Sequence, residues 1–171
     1  NSGGNHNHKP YSVHIENNEI WVGTASGVNK GIISGNCIDW THYTTLDGLS
    51  GDWVVDVVPQ DIGNQDPRIW LISWDLFSPV MPHGLTYSDD GGNTWIIVNQ
   101  FNDPQDGGTE SAIVYNLYFD NNNMFAATSN GLYHTTLGSE QTWSLYPIPE
   151  ECFEDTEKVY SYINDGSTEF V

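Results

Sequence analysis

This chain has almost no positive charge. Three lysines (Lys9, Lys30, Lys158) and one arginine (Arg68) face 23 Asp and Glu in 171 residues, a formal net charge of −19. Such a surface repels phosphate backbones, which disfavours nucleic acid and anionic membrane as partners. The two cysteines, Cys37 and Cys152, are too few for a disulfide scaffold, and no C-x-x-C spacing points to zinc or redox chemistry. Lying about two repeats apart, beyond the reach of a bridge to each other, they are expected to be unpaired thiols or to have partners in another part of the protein. No run of about 18 apolar residues exists, so no membrane-spanning helix or membrane insertion is expected. The six histidines (6, 8, 14, 42, 83 and 134) show no H-E-x-x-H spacing, and no G-x-S-x-G elbow marks a nucleophile.

Aromatic residues, by contrast, are plentiful: seven Trp, nine Tyr and six Phe. With 17 Gly and eight Pro along the chain, they favour many short strands. Tryptophan closes a comparable stretch three times, at Trp40, Trp95 and Trp143. Upstream of each lies an apolar run with a Gly-apolar step: IWVGTASGV (20–28), IWLISWDLF then HGLTY (69–87), and MFAATSNGLY (124–133). Repeats of roughly 40–50 residues, each four strands, are the signature of propeller blades. We therefore expect an all-β fold, a β-propeller segment of three four-stranded antiparallel blades plus the start of a fourth. A flexible lead-in, 1–10, precedes blades at 11–50, 51–110 and 111–157, and 158–171 supplies the first strands of the incomplete fourth. The Asn-rich pairs in IENNEIW (15–21) and FDNNNMF (119–125) suit the hairpin between a blade's first two strands, because Asn tolerates left-handed backbone. The start Asn1-Ser-Gly-Gly reads as a processed terminus. Three and a part blades read as a piece of a larger propeller, or one completed by neighbouring chains.

The octet Ser88-Asp-Asp-Gly-Gly-Asn-Thr-Trp95 resembles the Asp-box (BNR) repeat pattern S-x-D-x-G-x-T-W at Ser88, Asp90, Gly92, Thr94 and Trp95. Degenerate copies, SGNCIDW (34–40) and LGSEQTW (137–143), keep mainly the Trp. The segment WTHYTTLDGLSGDWVVDVV followed by IWLISW is similar to the repeat of two-component-regulator propellers. In Asp-box families the motif is structural, and the residues agree. Asp90 can take backbone N–H bonds, Gly92 permits a tight turn, Thr94 ties it back and Trp95 packs between sheets.

In a propeller, ligands usually meet the end built from the connections between blades and between second and third strands. That end carries Asp47, Asp52 and Trp53, and the loops 74–83, 101–110 and 147–157. The first of these loops, with Trp74, Asp75, Phe77 and His83, is the best candidate: aromatic faces beside carboxylates suit sugar rings. The expected role is non-catalytic, recognising a glycan or protein or supporting a surface or secreted assembly, in an extracellular, cell-surface or periplasmic setting. One alternative is a glycoside hydrolase with paired carboxylates, drawn from Asp52, Asp56, Asp75, Asp106 and Glu110; another is the sensor region of a signalling receptor. Sialidases share the Asp-box fold but grip their substrate with three arginines, and this chain has only Arg68. No cofactor is expected, although 61–66 and 102–106 offer oxygen donors to calcium without a full calcium-loop spacing.

Overall fold

The computed structural model describes residues 9–63, 66–74, 84–98 and 112–147. Among them twelve strands form three four-stranded sheets, each a meander whose neighbours are antiparallel. The first blade contains β1 (Pro10–Glu16), β2 (Glu19–Thr24), β3 (Gly27–Ser34) and β4 (Cys37–Tyr43). The second contains β5 (Val54–Gln60), β6 (Arg68–Ser73), β7 (Gly84–Ser88) and β8 (Ile96–Ile97), and the third β9 (Val114–Asp120), β10 (Asn123–Thr128), β11 (Gly131–Thr136) and β12 (Ser144–Leu145). The first strands β1, β5 and β9 lie beside one another in that order. This is the propeller-type arrangement that the repeat predicts. The proposed fourth blade, 158–171, lies outside the described residues.

Local chemistry repeats with the blades. Asn17 and Asn121 take φ of 53° and 54° in the first hairpin of blades one and three. In both, the following Asn carbonyl accepts from the third strand, Ile33 N to Asn18 O and Leu137 N to Asn122 O, each 2.8 Å. The second hairpins match as well. Thr24 Oγ1 donates to Gly27 O at 2.8 Å and Thr128 Oγ1 to Gly131 O at 2.9 Å, with Gly27 and Gly131 at φ of 103° and 120°. In each, a side chain bonding its own turn helps to hold it.

The core lies between blades. Between one and two it contains Trp21, Val28, Leu49, Val54, Val57, Ile69 and Leu71, closed by Tyr43 and Trp95. Between two and three, Trp70, Ile72, Leu85, Val98, Leu117, Met124 and Ala126 pack with Phe119 and Trp143. The middle blade is covered on both sides, so every residue of β6 and β7 is buried. Trp95 meets Trp21 edge-on, centroids 6.0 Å apart at 89°, and Trp143 meets Trp70 at 6.5 Å and 82°. Each such aromatic pair adds about 0.5–1.5 kcal/mol beyond its burial.

Two expectations need adjusting. The outer strands of blades two and three are shorter than the four-strand repeat suggests, β8 and β12 spanning two residues each. Their preceding turns consume the polar residues in side-chain bonding. The degenerate copy at 34–40 forms no such turn: Ser34 pairs with Cys37 across a tight hairpin with Gly35 at φ 61°, and β4 runs straight through Trp40.

Candidate functional site

At the blade-connection end, four aromatic residues form a row: Tyr11, Trp53 and Tyr115 at the starts of the inner strands and Trp74 just after β6. Tyr11 and Trp53 have ring centroids 5.5 Å apart, and Trp74 meets Tyr115 edge-on at 6.0 Å and 86°. The backbone joins the two pairs, Trp74 N donating to Trp53 O at 2.9 Å. Trp74 Nε1 donates to Val114 O at 2.8 Å, so this indole also ties blade two to blade three. Trp53 and Trp74 are half-buried, whereas Tyr11 and Tyr115 are 48% and 50% exposed. Tyr11, Trp53 and Tyr115 recur because each inner strand starts at this end.

The carboxylates nearby are engaged in the backbone. Asp47 closes a capping box with Thr44 over a single 3-10 turn, Thr45–Asp47, accepting from Thr44 N at 2.8 Å. Asp52 accepts from Thr45 N at 2.7 Å, and its carbonyl accepts from Gly27 N. Asp56 accepts from Val57 N at 2.9 Å. These acids fold the loop between blades one and two, and leave Leu46, 96% exposed, at its tip. Of the proposed ligand-binding residues, Asp52, Trp53 and Trp74 therefore share this end, while Asp75, Phe77 and His83 lie outside the described residues, as do Asp106 and Glu110. Of the calcium-type stretches, Asp61 caps its own turn by accepting from Gly63 N at 2.8 Å, and 102–106 lies outside the described residues.

The opposite end holds the Ser88–Trp95 turn. Asp90 Oδ1 accepts from Ser88 Oγ and from Thr94 N, both at 2.8 Å, and Oδ2 accepts from Thr94 Oγ1 at 2.6 Å. Gly92 N donates to Ser88 Oγ at 2.8 Å. The Thr94 bonds, first the hydroxyl and then the backbone, hold the Asp90 carboxyl below its ordinary 3.8. Gly92 has φ of 94°, and a Cβ there would stand 2.9 Å from Tyr43 Oη and 3.0 Å from Trp21. The turn thus seats directly on blade one. Lys30 fastens it, donating to Gly91 O at 2.9 Å and pairing with Glu19 at 2.8 Å. A groove of about 270 Å³ beside it is lined by Glu19, Ile32, Asp66, Pro67 and Ile69 together with Asp90 and Asn93 of the turn.

Blade three docks by a stronger device that sequence reasoning passed over. Buried Arg68 is the chain's single arginine; it bonds Asp89 through Nε and Nη2 (2.5 and 2.9 Å) and Glu140 through Nη1 at 2.5 Å, and covers Tyr87 at 4.2 Å. Burial lowers the guanidinium's proton affinity, but the bonds from Asp89 and Glu140 outweigh it and the net shift is upward. Burial likewise raises the Glu140 carboxyl, and the Arg68 and Gly138 bonds overcome this and carry it below 4.5. Glu140 also caps its turn through Gly138 N at 2.8 Å. The signal was the isolation of one arginine in so acidic a chain, since a lone cation at the head of a strand has many partners to choose from.

No family model matches the chain, and no curated protein matches it. Among solved structures it is similar to the extracellular domain of a protein described as a hybrid two-component system from B. thetaiotaomicron. That match has a TM-score of 0.55 and 19% identity over 82% of this chain and 18% of that one. A second such domain from the same organism aligns over 81% of this chain and 23% of its own length, with 11% identity and a TM-score of 0.42. The likeness is one of fold. The chain spans about a fifth of the length of the structures it matches.

Proposed function

We propose that this chain is part of an extracytoplasmic, non-catalytic recognition propeller, working as the ligand-sensing portion of a sensor of the two-component type. The observation that carries the reading is the aromatic row Tyr11, Trp53, Trp74 and Tyr115 at the blade-connection end, with its outer rings half open to solvent. Rings standing beside one another offer stacking faces to sugar C–H surfaces, and the backbone groups around them supply polar partners. A glycan is the ligand class that suits such a rim. The fold likeness to extracellular sensor domains supports the setting and the signalling role. The Ser88–Trp95 turn we read as an Asp-box with a structural duty, because its side chains bond one another and its far side is packed on Tyr43 and Trp21.

The test is glycan-array screening followed by calorimetry on the wild-type chain and on Tyr115→Ala and Tyr11→Ala. Both side chains are exposed enough to be removed without emptying a core. Saturable binding without product release, weakened about tenfold by either substitution, is expected. Binding unchanged in both variants, or no glycan bound at all, overturns the reading.

A further inference from the structure

Each ring pair at the blade-connection end straddles a junction between blades. Tyr11 belongs to β1 of blade one and Trp53 leads into β5 of blade two, whereas Trp74 follows β6 of blade two and Tyr115 stands in β9 of blade three. Trp53 and Trp74 are neighbours through the bond from Trp74 N to Trp53 O, yet one ring turns to blade one and the other to blade three. The end of blade two therefore lies between the pairs. Facing sheets pack about 10 Å apart, and a step of that order is more than one pyranose ring covers. The row offers stacking area at both of its ends, since Tyr11 and Tyr115 are exposed to nearly the same degree.

Charge narrows the ligand further. The four cations of the chain are Lys9, Lys30, Arg68 and Lys158. Lys30 and Arg68 are engaged at the opposite end, Lys30 by Gly91 O and Glu19, Arg68 by Asp89 and Glu140. Among the described residues Lys9, exposed, is the cation that leads into the aromatic row, where Asp47 and Asp52 already place two carboxylates. The stretches 75–83 and 99–111 contain no Lys or Arg and add Asp75, Asp103, Asp106 and Glu110. A uronic or sulfated sugar would bring one more anion into the field of a chain of net charge −19, and a neutral sugar meets no such repulsion.

Taking this end as a glycan site, as proposed above, we infer that it selects an uncharged oligosaccharide of several residues, laid across the ends of all three blades from Tyr11 to Tyr115. One part of the sugar chain stacks on each ring pair, and its hydroxyls meet backbone groups between them. A monosaccharide fills one pair alone. A longer chain engages both, and its second contact is intramolecular, which raises affinity through effective concentration.

Calorimetry on the full chain tests this with gluco-, manno-, xylo- and galacto-oligosaccharides of one to six residues, and with galacturonate oligosaccharides of the same lengths. At least one neutral series is expected to bind with one hexasaccharide per chain, its affinity climbing about a hundredfold from one residue to six. The galacturonates should bind about tenfold more weakly or worse at low salt, where repulsion is least screened. Tyr11→Ala and Tyr115→Ala should each cut hexasaccharide affinity about tenfold and flatten the climb with length, while circular dichroism shows the blades intact. Affinity independent of length, or galacturonates bound as tightly as the neutral sugars, overturns this inference and leaves glycan recognition standing. Binding of no sugar from either set overturns both.

Discussion

Replacing Arg68 with Met should be among the most costly single changes in this protein, and the structure says why. The Arg68 and Glu140 side chains are 7% and 9% exposed and bonded at 2.5 Å. Removing the guanidinium strands a buried carboxylate, which costs about 3–5 kcal/mol. The Asp89 arm adds little, because Asp89 is 39% exposed and surface pairs contribute about 0–1 kcal/mol. Replacing both partners, Arg68→Met with Glu140→Met, removes the stranded charge and leaves mainly the lost Gly138 bond, about 1 kcal/mol. The pair should therefore show a coupling of about 2 kcal/mol or more. Urea unfolding followed by tryptophan emission reads all three values. The pH dependence has a definite sign. The Glu140 carboxyl is lowered from 4.5, so its contribution is complete above that value and is lost as pH falls through the folded one. Arg68→Met should flatten this acid limb. A single-variant cost under about 1 kcal/mol, or a double variant as unstable as the sum of the singles, refutes the buried-latch reasoning.

Other outcomes follow from the same geometry. Gly92→Ala should cost about 1–3 kcal/mol, since its backbone sits at φ 94° and its new methyl meets Tyr43 and Trp21; thermal melting checks it, and an unchanged Tm would count against the packed turn. Asp90→Ala should lower stability by about 1–2 kcal/mol through the lost Thr94 and Ser88 bonds, while glycan affinity holds; lost affinity in a fully folded variant contradicts the structural reading of this turn. Trp143→Ala should cost about 3–5 kcal/mol by emptying the junction against Trp70, measured by denaturant titration, with a cost below about 1 kcal/mol speaking against it.

Much of the fold was legible because its determinants are local and repeated. Trp40, Trp95 and Trp143 mark one register position, and the Asn pairs at 17–18 and 121–122 mark one hairpin. Anything set by periodicity could be read from a single line of residues. The shortness of β8 could not be read from the repeat, because Ser88, Asp90 and Thr94 bond one another rather than extend a ladder. The Arg68–Glu140 latch joins residues 72 apart and leaves no periodic trace. The site was legible only in part. Trp53 and Trp74 were singled out, but their companions Tyr11 and Tyr115 belong to other blades. Only the adjacency of β1, β5 and β9 brings them to one rim.

The most direct test of the account uses nuclear Overhauser contacts between tryptophan side chains in selectively labelled protein. Cross-peaks linking the indole of Trp95 to that of Trp21, and Trp143 to Trp70, are expected, since each outer-strand indole lies against the preceding blade. Absence of both contacts, with Trp95 and Trp143 reporting only neighbours in their own sheets, would contradict blades stacked through their tryptophans.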